Sequence, residues 1–161
     1  MTVILVFLAI AIALFVGAFI SKRRFGLLGL ALTAGATLSA LWSYDAGLLI
    51  ASTGLVPAGP ITNAVALSVV VLLPAIVLLF HGYTYKNIIS RVLGALLFTV
   101  LALAFLMEPL GFALPLSGST ADAYNTAASY QSVIISVGVI LAVVDLFFTK
   151  PAKNVRDRRR R

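Results

Sequence analysis

Cysteine is absent from this chain, and histidine occurs once, as His81. The first absence excludes disulfides and thiolate chemistry, and the second excludes a multi-histidine metal site. Charge is scarce too: 11% of residues are charged, against about 25% in soluble domains. No H-E-x-x-H, paired carboxylate, phosphate loop or nucleotide fingerprint occurs. These absences point away from an enzyme and from any cofactor or metal.

What remains is apolar. Of the 161 residues 61% are hydrophobic, and the mean hydropathy is +1.11. The expectation is an all-α, polytopic bundle of membrane helices in one domain over residues 1–149, with a basic tail at 150–161.

The stretch around which the chain is organised is SKRR followed by FGLLGLALTAGATLSALW. Its 18 uncharged residues rise about 27 Å as a helix, close to the ~30 Å hydrocarbon core. Ala31, Gly35 and Ser39 recur every fourth residue, as do Ala9, Ala13 and Gly17 in the preceding run. Small residues at this spacing let helix backbones approach in lipid. Val3–Trp42 is therefore expected to form an antiparallel hairpin, turning at Lys22–Arg24, with the two small-residue faces opposed. The positive charge follows the first run rather than preceding it, so this run reads as a retained helix and not a secretory signal.

Further spans are expected over Ala64–Phe80, starting at Ile61 with Thr62 or Asn63 as cap, and over Val92–Met107, stopped by Glu108-Pro109. The fifth helix is expected to start near Thr120, capped by Ser119 or Thr120 with Asp122, and to span Val133–Phe148. Ala46–Leu55 is too short to cross and belongs in the interface. With five spans and an outside N-terminus, all 12 cations fall on the cytoplasmic side. Asp45, Glu108 and Asp122 fall outside. Cation bias of this kind orients membrane proteins.

Lys22, Arg23, Arg24 and the terminal Arg158, Arg159, Arg160 and Arg161 are expected to hold anionic lipid headgroups rather than nucleic acid, because they flank apolar runs. Two residues are functional candidates. Asp145 is the one acid inside an apolar run, suited to proton or cation handling, or to a pair with Lys86 or Arg91 near the headgroups. Pro74 interrupts the third span, as a hinge or as a static kink. His81 reads as an interfacial anchor. Ser129, Ser132 and Ser136 share one face of the fifth helix without a base beside them, so they read as hydrogen-bonding groups.

A leading helix, a basic turn, KRRFGLLGLAL, a broken apolar stretch, a third helix and then RVLGALLFTVLALAFL from Arg91 follow in order. Over roughly residues 3–110 this order resembles the colicin V production protein (CvpA) family of the bacterial inner membrane. The resemblance implies a non-enzymatic protein linked to colicin export, and so to toxin biosynthesis, and to envelope maintenance. The apolar fifth span and the RRRR ending depart from the family's usual C-terminus. Two functions follow as expectations. One is a multi-pass scaffold or accessory protein contacting its own copies or another membrane protein. The other is a small channel or transporter subunit.

Overall fold

A computed structural model describes residues 2–42, 45, 52, 59–80, 85, 87–113 and 118–148. Their secondary structure is helical: α1 Thr2–Ser21, α2 Phe25–Leu41, α3 Pro60–Phe80, α4 Ile88–Ala113 and α5 Ser119–Phe147. Pro60–Phe80, Ile88–Gly111 and Thr120–Phe147 are long and apolar enough to cross a membrane, while Leu5–Ser21 and Phe25–Leu41 are apolar but shorter. His81, Tyr83, Lys86, most of Ala46–Leu55 and the tail lie outside the described residues.

The turn between α1 and α2 falls where the basic run was expected to place it. Lys22 adopts φ 58°, the left-handed conformation that ends helices and more often belongs to glycine. Helices α2 and α4 form the centre. The most deeply buried large side chains are Phe25, Leu28 and Leu32 on α2 and Leu101 and Leu106 on α4. The spacing of three and four residues among Phe25, Leu28 and Leu32 puts them on one face of α2. Around this pair α3 packs on both central helices, α5 packs chiefly on α2, and α1 packs on α4.

The expected seam between α1 and α2 is not where the small residues go. Ala9 and Ala13 are exposed, and a Cβ built on Gly17 would meet nothing within 4 Å. Instead α1 turns Ile10, Leu14, Phe15, Ala18 and Phe19 toward the core, so bulk rather than smallness defines its packed face. Ala31 and Gly35 on α2 are buried as expected, but Gly35 lies against α3. A Cβ on Gly35 would collide with the carbonyl of Val71, so the two backbones touch there. Without a hydrophobic drive between helices in lipid, the closest backbone contact decides the partner, and α3 provides it.

One expected boundary and two expected caps also differ. Pro109 does not end α4, which continues to Ala113. A proline removes one helical bond, and neighbouring carbonyls gain side-chain donors from α5: Gln131 Nε2 to Ala104 O at 2.9 Å and the Tyr124 hydroxyl to Met107 O at 2.9 Å. At its start, α3 uses neither Thr62 nor Asn63 as cap. Pro60 occupies the first turn, where its missing N–H costs nothing, and Asn63 N–H donates to Gly59 O at 3.0 Å. Likewise α5 is entered through Gly118 at φ 56° without a side-chain cap, with Asp122 in its first turn.

The packing predicts a contrast between two glycines. Gly35→Leu forces α2 off α3 and costs about 1–3 kcal/mol or more. Gly17→Leu adds a side chain in open space and leaves stability unchanged or slightly raised, because leucine favours helix over glycine by nearly 1 kcal/mol. Thermal unfolding of both variants in one detergent measures the difference; equal losses would place α2 against α1 after all.

Candidate functional site

A helix leaves its first N–H groups without partners inside the helix. The start of α2 is such a case, since Arg24 is extended (φ −71°, ψ 136°) and supplies no side-chain cap. The partners come from elsewhere in the chain. Phe25 N–H donates to the Tyr85 hydroxyl at 3.0 Å, and Gly26 N–H donates to Asp145 Oδ2 at 2.9 Å. The Tyr85 hydroxyl in turn donates to the same carboxylate oxygen at 3.2 Å.

Asp145 lies on the last turns of α5, and its place at α2 depends on glycine. A Cβ on Gly26 would meet Ala142 O at 2.5 Å and Leu146 Cγ at 2.8 Å. Only a bare backbone lets α5 come near enough for its carboxylate to act as an N-cap in trans. Its negative charge also faces the positive end of the α2 dipole. Tyr85 fits by the same device, its ring lying against Gly94, where a Cβ would sit 2.6 Å from the ring.

The arginines of the basic turn serve the opposite helix ends. Arg23 donates from Nε to Leu79 O at 2.9 Å and from Nη2 to Phe80 O at 2.6 Å, capping the C-terminus of α3. Arg91 donates to Phe19 O and stacks its guanidinium 3.8 Å from the Phe19 ring centroid, capping α1. Arg24 lies 5.6 Å from the centre of the Tyr85 ring. Cations at helix C-termini and an acid at an N-terminus all complement the helix dipoles. One end of the bundle thus holds a set of caps exchanged among the α1–α2 turn, α4, α5 and the segment before α4.

Burial is the main cause that raises the Tyr85 hydroxyl above its ordinary pKa; the Phe25 N–H bond opposes this, and the charge of Asp145 adds to it. Tyr85 therefore keeps its proton well past neutrality and remains a donor to Asp145.

The sequence-predicted residues divide accordingly. Asp145 bonds to Tyr85, whose ring Arg24 approaches, and its carboxylate is engaged by α2, while Arg23 bonds to α3. Lys22 is exposed beside it, available to headgroups. Pro74 lies inside α3, outside this network. Ser129 and Ser136 donate to carbonyls of their own helix, Thr126 O and Ser132 O, at 2.7 Å each. The capping roles of Tyr85, Arg23 and Arg91 escaped sequence reading. One signal was present: SKRRFG puts no Ser, Thr, Asp or Asn at the start of α2, so an acceptor had to come from elsewhere at that depth, and Asp145 is the acid there.

No family model, curated protein or solved structure matches this chain.

Removing the acceptor tests the network. Asp145→Ala leaves the Gly26 N–H without its acceptor and costs about 1–3 kcal/mol; Asp145→Asn, which retains a carbonyl oxygen, costs less. Because folding raises the Tyr85 pKa, the folded state holds the proton more tightly. That contribution is complete below the unfolded value near 10 and is lost as pH rises through the folded value. Unfolding temperature against pH should fall more steeply above about pH 10 for wild type than for Tyr85→Phe. Parallel curves would remove Tyr85 from the network.

Proposed function

We propose that this is a non-enzymatic, multi-pass protein of the bacterial inner membrane that works as a scaffold or accessory through contacts between helices. The observation that carries the reading is the state of α5. Of its described residues only Ala142 is buried, while Val133, Val137, Ile140 and Val144 all face outward. The Ser129 and Ser136 hydroxyls are bonded to carbonyls of the same helix, so these two present no unmet donor to a neighbouring helix. A helix tied to the bundle along one side, by Asp145 on α2 and by Gln131 and Tyr124 on α4, leaves most of its circumference for a further helix, from another copy or a partner protein.

A conducting role was expected to centre on Asp145 and Pro74, and the engagement of the Asp145 carboxylate with α2 favours the scaffold. The CvpA resemblance over residues 3–110 agrees with it. Five spans with the N-terminus outside are part of the same proposal. Lys22, Arg23, Arg24 and Arg91 gather at one end of the bundle, as cation bias requires for a cytoplasmic face. Central α2 lies among α3, α4 and α5, at the same depth as helices long enough to span.

Since the chain has no cysteine, one introduced thiol reports alone. Val137→Cys in native membranes should form a disulfide with its own copy or a crosslink to one protein neighbour, and Ala102→Cys, fully buried on α4, should not. A Val137→Cys protein that stays strictly monomeric and without adducts would overturn the scaffold. For topology, a reporter fused after Arg161 should be active in the cytoplasm. Neutralising Lys22, Arg23 and Arg24 together should give mixed orientation; uniform insertion would assign orientation to the tail.

A further inference from the structure

At the end of the bundle away from the basic turn, α2, α3, α4 and α5 line an open recess of about 390 Å³, with Glu108 exposed at its rim. Each helix contributes one polar side chain to its wall: Ser39, Asn63, Glu108 and Gln131. The volume equals on the order of a dozen waters and lies in the range of small-molecule sites. The scaffold reading uses none of these four groups as polar groups.

Their hydrogen-bonding state is uneven in a consistent direction. Thr33, Thr37, Ser68 and Thr99 turn their hydroxyls back to the carbonyl four residues earlier. Ser39 forms no such bond among the described residues, and neither the Asn63 side chain nor the Glu108 carboxylate has a partner among them. The Gln131 amide is oriented without ambiguity: Ala104 O can only accept, so the NH₂ faces it and the amide oxygen remains an acceptor. Pro109 and Phe105 also line the recess. Pro109 has no N–H, so the carbonyl of Phe105, one turn earlier, loses its helical donor.

The wall is thus rich in acceptors, carries one negative charge and holds no cation. Lys22, Arg23 and Arg24 lie beyond the far end of α2, about 20 Å away along its axis. A divalent metal would need several carboxylates, and one is present. We infer that the recess binds a primary ammonium group, its charge on Glu108, its N–H groups on the amide and carbonyl oxygens, and its carbon chain against Phe105 and Val71. The same chemistry arrives either as a free small amine or as the ethanolamine headgroup of a phospholipid.

Trp42, the one tryptophan, ends α2 about one turn beyond Ser39 and serves as a reporter. Butylammonium titrated into the full chain in detergent should change Trp42 fluorescence saturably and raise the unfolding temperature. Tetramethylammonium, which lacks N–H donors, and butanol, which lacks charge, should bind at least about tenfold more weakly. Glu108→Gln should weaken butylammonium about tenfold or more, and Ser39→Ala should weaken it less. Asp145→Asn, at the opposite end, should retain wild-type affinity. The inference is overturned by equal binding of tetramethylammonium, by wild-type affinity in Glu108→Gln, by loss of binding in folded Asp145→Asn, or by a folded wild type with no saturable response. In nanodiscs, competition by phosphatidylethanolamine and not phosphatidylcholine identifies a headgroup as the ammonium source, and its absence identifies a free amine; both support the site.

Discussion

Backbone groups at helix ends govern this structure. In a bilayer an unmet N–H or carbonyl costs several kcal/mol, and this chain has few Ser, Thr, Asp or Asn residues placed to cap its own helices. It meets the need by exchange between elements. Arg23 completes α3 and Arg91 completes α1. Asp145 and Tyr85 complete α2. Each cap also crosses from one element to another, so closing a helix end and fixing the bundle are one event.

The same economy explains why so few charged residues suffice. An arginine near the headgroups is ordinarily read as a topology signal or a lipid contact. Here Arg23 and Arg91 also bond directly to backbone carbonyls, using planar guanidinium groups whose several donors suit that task better than a lysine's point charge. Lys22, by contrast, supplies backbone geometry: its left-handed conformation reverses the chain, and its carbonyl accepts from Tyr85 N–H at 2.8 Å.

Much of the architecture was legible in the sequence because uninterrupted apolar runs have one physical interpretation. The helices, the turn at Lys22–Arg24 and the burial of Ala31 and Gly35 all followed from it. Partner choice did not follow. Small residues on α1 and α2 looked complementary, yet Gly35 meets Val71 on α3, because spacing marks a surface capable of close approach without naming the surface opposite. The polar sites were hidden for a similar reason. Ser39, Asn63, Glu108 and Gln131 are isolated in sequence and converge only when four helices are packed. Pro109 read as a stop because a proline's effect was judged on α4 alone, without the donors Gln131 and Tyr124 from α5.

The bond from Gly26 to Asp145 joins residues 119 positions apart. During synthesis the first reversal of the chain emerges long before the carboxylate that completes it. The α1–α2 unit is therefore made with an open helix end. Only when the last helix arrives can that end close. The start of α2, made early, is thus completed by a residue of α5, made late.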